Sequence, residues 1–399
     1  MQPEMTQTQR GLRAPGPQSV TFVELFFDLV FVFAVTQVTV LTAHHLDPGG
    51  ILRSLLLFWL IWWAWTQFTW TLNPADTTHA GVRLITLAAT AVAFIMATAV
   101  PHAFEEDAVW FAVPYVVVRI LGLVLQLRLN AEGPDADPRG ARTWAGLSSI
   151  GLVLVLAGAF ADPSLRVALW TLTIVADIVA AEIAGRTQEW DLHAGHLSER
   201  HGLFVIIALG ESLIVAGTAV AAEERTASLT GVAILAVVVA CLLWWTYFGW
   251  LKEALEHGAS RADRSQMGPL ARDAFSLSHF PLVCGIVGYA VAIEEMVAHP
   301  ADPAGAAVVG ALGVGVALFV GFSAVSYWRV WGRVLLGRVI VLGGMAAALV
   351  AVTSLAPIWP LAVVAVALLV LAVLEGRGHA VARSAAGPMD VLWRADRAP

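Results

Sequence analysis

Apolar residues run through this chain in long blocks, separated by short polar and turn-forming stretches. The blocks are about 20 residues long, which is what an α-helix needs to cross the hydrocarbon core of a bilayer. Their punctuation is of the kind that stops helices: Asp47-Pro48-Gly49-Gly50, Asn73-Pro74, Gly133-Pro134, Asp162-Pro163 and His299-Pro300. The pattern predicts twelve spans, at roughly 20–43, 51–72, 80–101, 108–129, 144–161, 165–186, 201–220, 229–252, 273–298, 305–328, 334–354 and 357–375. The expected fold class is all-α, a polytopic membrane protein of about twelve transmembrane helices.

Charge orients this pattern. With the N-terminus inside, 23 basic residues divide so that only Arg53, Arg166 and Arg225 lie outside and only Arg119 lies mid-helix. The rest fall on the inner side, as the positive-inside rule requires. Both termini are therefore expected in the cytoplasm, and the protein in the inner membrane. Composition agrees: 58% of residues are hydrophobic and 13% charged, against about a quarter charged in a soluble domain. The net charge of −7 comes with no basic stripe, so no nucleic-acid partner is expected. Residues 1–19 read as a disordered tail without the apolar region of a signal peptide. Cys241 and Cys284 sit inside apolar blocks and read as buried thiols.

Two blocks look alike. "FFDLVFVFAVTQV" in the first span and "LGESLIVAGTAV" in the seventh align Asp28 with Glu211, Thr36 with Thr218, and the pairs Trp62-Trp63 and Trp244-Trp245 further on. This suggests two parallel six-helix repeats, 20–186 and 201–375, joined by a linker at 187–200 and followed by a tail at 376–399. Such halves leave a site between them.

The spans also carry ionisable groups. Glu24 and Asp28 are four residues apart and share one helix face. Arg119, Asp177, Glu182, Glu211 and His279 lie in other spans. Each charge at a helix centre costs about 2.5–3.5 kcal/mol on insertion scales, so these groups must face inward and pair, neutralise or meet water. With five deep carboxylates and Arg119 as their counter-ion, pairing alone does not suffice, and a wet or protonated cluster is expected. Helix capping and interhelical hydrogen bonding are the bland alternative, Glu24 above all being close to its helix start.

Other features change less. The stretch "EWDLHAGHLSERHGLF" gathers His193, His196 and His201 with Glu189, Asp191 and Glu199, but at no standard metal spacing. It reads as a solvated loop, so no metal and no cofactor is expected. Of 16 tryptophans, several crowd spans 2 and 8, further along each helix than an interface belt reaches. Core packing explains them, or an aromatic pocket built from Trp62, Trp63, Trp244 and Trp245. No nucleotide-binding loop, zinc-protease motif or aspartate-rich diphosphate motif occurs; "GALGVG" (Gly310 to Gly315) lies in a span and reads as small-residue helix packing.

"VELFFDLVFVFAVTQ", "HLSERHGLFVIIALGES" and "SHFPLVCGIVGYAVAIEE" together resemble the bacterial low temperature requirement protein A family over about residues 18–380. That family is named from growth in the cold, so the resemblance implies the fold and the membership of Glu24, Phe27, Asp28, Glu199, Arg200, Gly210, Glu211 and His279 in its motifs. "FFDLVFVFAVT" is also similar to the first helix of a potassium and proton channel family built from six-helix repeats. This chain lacks that family's Ser between Phe27 and Asp28 and its Arg four residues before the Phe.

The expected function is a transporter or channel-like protein coupled to protons or cations. Asp28 and Glu211 would bind the ion, Glu24 and Glu182 would be supporting acids, Arg119 the counter-ion and His279 a proton relay, with Asp177 also in the substrate- or ion-binding set. A membrane cyclase or transferase using a buried acid (Asp28, Glu211 or Glu24) on an isoprenoid or lipid is the rival. A non-catalytic sensor or assembly factor is the third reading. The expected partners are the bilayer, a small molecule or ion, and a second copy of the chain.

Overall fold

The computed structural model describes residues 11–14, 16, 18–132, 138–187, 190–222 and 224–386. Its helices are α1 (Phe22–His44), α2 (Pro48–Leu72), α3 (Ala80–Thr98), α4 (Ala108–Ala131), α5 (Pro138–Ala159), α6 (Pro163–Thr187) and α7 (Ala194–Ala222). They continue as α8 (Ala227–Phe248), α9 (Leu251–Ala259), α10 (Arg264–Ala271), a π-helical turn (Arg272–Leu277), α11 (Ser278–Ala298), α12 (Gly305–Trp331), α13 (Leu336–Ala351) and α14 (Ile358–Ala386). Among the described residues, 11 helical segments are long and apolar enough to cross a membrane, and α13 is a shorter apolar one. With α13 counted, each expected span has its helix, and the protein is an all-α polytopic membrane protein.

Local sequence sets the helix ends. Asp47 N-caps α2 by accepting from the Gly49 and Gly50 N–H groups, and those bonds, Gly50 first, hold its carboxyl below the ordinary value. Pro48 at the first helical position needs no hydrogen-bond donor. At the same end of the bundle, buried Arg166 donates to the carbonyls of Phe104, Gly158 and Ala161. It thereby ties the end of α5 to the turn before α4.

Two segments depart from the expected pattern. The connection after span 8 contains α9 and α10. In α9, Leu251, Ala254, Leu255 and Ala259 are buried along one stripe while Glu253 and Glu256 take the other side, a short amphipathic helix that a 20-residue hydropathy window averages away. The second departure is α7, which begins at Ala194 rather than near 201, so much of the expected linker is helix. At the N-terminus, Gly11 to Ala14 are not a loose tail: Arg13 bridges Ala75, and Leu12 accepts from the Asp76 N–H. Residues 1–10, 15 and 17 of the expected tail, and 387–399 of the C-terminal one, lie outside the described residues.

In the first six spanning helices the neighbours are α1–α2, α1–α3, α2–α4, α3–α4, α4–α5, α5–α6 and α2–α6. In the last six they are α7–α8, α7–α11, α8–α12, α11–α12, α12–α13, α13–α14 and α8–α14, with α8–α11 and α12–α14 in addition. The two groups meet where α1 and α2 pack on α7 and α11. Helix α2 is buried almost all round, whereas α3, α6, α13 and α14 turn Leu84, Leu172, Ile340 and Leu369 outward, as helices facing lipid do.

The tightest seam is α11 on α12. A Cβ on Gly285 would run into the Gly315 carbonyl oxygen and the Phe319 amide, and one on Gly315 would meet the backbone of Tyr289. "GALGVG" therefore does act in small-residue packing. Backbone cannot step aside as a side chain can, so Gly285→Ala should cost about 1–3 kcal/mol or more, read as lost thermal stability of the purified protein in detergent.

Candidate functional site

The heart of the molecule is the joint between α1 and α7. Glu24 and Asp28 lie one turn apart on α1, and His196 and Arg200 one turn apart on α7, so each helix offers two groups on one face. The four meet with no exposed side chain. Arg200 donates from Nη1 to Glu24 Oε1 at 2.9 Å, and from Nε and Nη2 to the two oxygens of Asp28 at 3.1 and 2.5 Å. The planar guanidinium thus grips Asp28 with a two-pronged fork and Glu24 with its spare nitrogen.

Neighbours complete the shell. Trp65 Nε1 donates to Asp28 Oδ1 at 2.7 Å. Thr21 N and Oγ1 donate to Glu24 Oε2, both at 2.9 Å, so Glu24 also closes a capping box at the start of α1. The capping and clustering roles of Glu24 coexist, one on each oxygen. His196 Nε2 lies 3.0 Å from Glu24 Oε1 without hydrogen-bond alignment, and its other ring nitrogen is 3.4 Å from Asn73 Nδ2. Asn73 holds the approach to α7 through both backbone groups of His193, and Glu199 accepts from the Val20 N–H. The region expected to be a solvated loop is therefore largely packed: His196, Arg200 and His201 are buried, and Glu189 lies outside the described residues.

A second polar thread starts beside it. His201 stacks edge-on against Trp65 and His279, each with ring centres 5.0 Å apart. His279 Nε2 is 2.8 Å from the Tyr247 hydroxyl and its Nδ1 is 3.1 Å from the Ala274 carbonyl. That carbonyl is five residues back, in the π turn. Pro281, in the first turn of α11, lacks the N–H that would engage Leu277, so regular α geometry is interrupted just where His279 needs an acceptor. The hydrogen-bond pattern assigns the Nδ1–H tautomer to both histidines, which leaves His201 Nε2 a buried acceptor without a partner. Tyr247→Phe would leave His279 Nε2 in the same position. It should cost about 1–3 kcal/mol, checked by thermal unfolding.

The remaining predicted residues fall elsewhere. Arg119 on α4 pairs with Asp177 on α6 at 3.3 Å and bonds Gln67 Oε1 at 2.5 Å and the Tyr115 hydroxyl at 2.7 Å, all buried. Among the described residues it is the counter-ion of Asp177 and of no other carboxylate. Glu182 pairs with Arg272, which also bonds Asp273. The expected shortage of cations is therefore corrected: Arg200 and Arg272 lie beside span ends in the sequence, yet both reach bundle carboxylates. Glu24, Asp28, Asp177 and Glu182 all have cationic partners.

Glu211 does not join Asp28. It lines a small cavity with Val32, Val35, Thr36 and Thr39 of α1 and Ile286 and Ala290 of α11, so it sits level with Thr36, two turns beyond Asp28. Among the described residues its carboxylate has no hydrogen-bond or ion-pair partner. The aromatic pocket is corrected as well. Trp62 and Trp63 are buried, but Trp244 and Trp245 are 39% and 56% exposed, on the outside of α8, and cannot wall a pocket with them. Cys241 is likewise exposed, while Cys284 is buried. Sequence reasoning placed Arg200 in a family motif but did not join it to Glu24 and Asp28, and it left His201 in a loop, because the polar residues before Gly202 resemble one; the i, i+4 spacing of His196 and Arg200 was the available signal.

Comparison with known proteins bears on this geometry. A family model described as bacterial low temperature requirement A protein matches residues 19–373, which include every residue of the joint. An uncharacterised protein of Rhizobium meliloti is 30% identical over 292 residues, covering 70% of each chain. No solved structure matches.

Proposed function

The chain belongs to the bacterial low temperature requirement A family, and from this premise we propose that it is a proton- or cation-coupled transporter of the cytoplasmic membrane. In this reading both termini are cytoplasmic, the chain is two parallel six-helix halves, and the path follows the α1–α7–α11 seam between them. The carrying observation is Glu211. Among the described residues its carboxylate stands unpartnered between the halves, beside Thr36 and Thr39, whereas Glu24, Asp28, Asp177 and Glu182 have cations. An unpaired acid inside a membrane is costly unless it binds a proton or cation or meets water. A carboxylate among hydroxyls offers hard oxygen ligands to either ion.

The Glu24–Asp28–Arg200 cluster closes the seam at the cytoplasmic end. Arg200 bonds both acids of α1 from α7, so separating the halves there breaks charge-assisted bonds. Rocking of one half on the other would exchange these bonds for water, as in alternating access. Seven corresponding neighbour pairs in the two halves support the repeat, although α8–α11 and α12–α14 have no counterpart among the described residues of the first half.

The test is ion flux in proteoliposomes under imposed proton, potassium and sodium gradients. Wild type should carry flux, and Glu211→Gln should reduce it at least tenfold at equal folded protein. Silence of well-folded wild type under every gradient would reject ion coupling. A membrane enzyme is the second reading, favoured by a tryptophan-walled cleft near the same end; but Glu182, an acid beside that cleft's rim, is engaged by Arg272.

A further inference from the structure

A narrow cleft with about 50 Å³ of interior space lies between α2, α4 and α5 on one side and the α10–π-turn segment on the other. It is separate from the α1–α7–α11 seam, and its occupant is independent of the transport reading. Its walls are overwhelmingly apolar and include the indoles of Trp63, Trp70, Trp144 and Trp190. Trp70 and Trp190 meet edge to face at 4.9 Å, which sets flat surfaces at right angles around the space.

Gln67, Trp70, Ser276 and Arg272 on these walls are hydrogen-bonded, but four other polar groups are not. Thr66 Oγ1, Gln126 Oε1, Trp144 Nε1 and Trp190 Nε1 are buried atoms without a hydrogen-bond partner. Thr66, Gln126 and Trp144 are each more than nine-tenths buried. Trp63 Nε1 is also unpartnered but lies toward Asp177. Buried donors and acceptors are almost always paired, and an orphan costs about 1–3 kcal/mol. The first four belong to residues that α2, α4, α5 and the approach to α7 bring to the walls of one cleft, and they lie just beneath its surface.

Charge narrows the occupant. Among the described residues the only charged side chain on the cleft is Arg272, and its guanidinium is already engaged by Glu182 and Asp273. Neither an anion nor a cation finds a free counter-charge there. The two indole N–H groups call for acceptors, the Thr66 hydroxyl can donate or accept, and flat narrow walls favour a planar body. We propose that this cleft binds the head of an uncharged, membrane-soluble quinone, its ring between the tryptophan faces and its carbonyl oxygens on the Trp144 and Trp190 N–H groups.

The experiment uses the full-length protein in lipid nanodiscs, with a benzoquinone bearing one prenyl unit as the equilibrium ligand and its azido derivative as photolabel. Saturable binding of one molecule per chain is expected, with label in peptides containing Trp63 to Trp70, Trp144 or Trp190. Trp144→Phe and Trp190→Phe keep the aromatic wall but remove the donor, and each should weaken binding about threefold to tenfold. Ala181→Phe, which fills the cleft without touching a polar wall group, should abolish binding and decides the matter if an indole variant does not fold. Non-saturable uptake, label confined to other helices, a phospholipid retained in the cleft in place of quinone, or full affinity in folded Ala181→Phe would each overturn the assignment.

Discussion

Arg200→Leu should remove most folded protein. The substitution strands Glu24 and Asp28, two carboxylates with no exposed side-chain surface, on one helix face. Breaking a buried pair by removing one partner costs about 3–5 kcal/mol, a large share of a typical net stability of about 5–15 kcal/mol. Here a single cation serves two acids, so the loss belongs at or above the top of that range. Asp28→Asn should be milder, because Arg200 keeps Glu24 and the amide oxygen can still accept from Trp65. The triple substitution Arg200→Leu, Glu24→Gln, Asp28→Asn should recover much of the loss, since neutral replacements for a whole buried cluster are often tolerated. Yield of monodisperse protein and its unfolding midpoint in detergent check all three. A single Arg200→Leu variant as stable as wild type would show that the joint does not hold the two helices together.

The Arg119–Asp177 pair gives the second large effect, with a signature in pH. Either single neutralisation should cost about 3–5 kcal/mol. The two differ in remedy. In Arg119→Leu the stranded group is Asp177, whose Oδ2 already lacks a hydrogen bond, and an acid that takes a proton needs no counter-ion. In Asp177→Asn the stranded group is a guanidinium, which stays charged at all accessible pH. The Arg119→Leu defect should therefore shrink as pH falls from neutral toward about 5, while the Asp177→Asn defect should persist. Parallel melting curves across that range check it; identical pH responses would show that the pair does not act as an ion pair.

Much of this was legible in the sequence, and the misses have separable physical causes. Hydropathy found the spans because every residue facing lipid must be apolar, so the outward faces of α3, α6 and α14 announce themselves. It placed Glu24 and Asp28 together because spacing on a helix is geometry. It could not join Arg200 to Glu24 and Asp28, because a polar cluster packed together in three dimensions looks like a loop in one. The same blindness hid α9, whose buried stripe is too short to dominate an average. Tryptophan misled in the opposite direction. Trp62-Trp63 and Trp244-Trp245 are alike in sequence, yet α2 lies inside the bundle and α8 turns its pair outward. Helix position, set by contacts far along the chain, decides whether an indole is core or lipid-facing. Glu211 shows the limit of alignment: matched to Asp28 by neighbours, it lies level with Thr36 because α7 starts earlier than its apolar block.

Transport along the α1–α7–α11 seam requires that the seam open to water past Glu211. Thr36→Cys reads this out, in a background with Cys241 and Cys284 replaced by Ala, reconstituted in known orientation and probed with a membrane-impermeant thiol reagent. Labelling from both faces of the membrane, at a ratio that shifts with the imposed ion gradient, is the predicted result. A thiol that stays unlabelled from both faces while wild-type flux persists would contradict it.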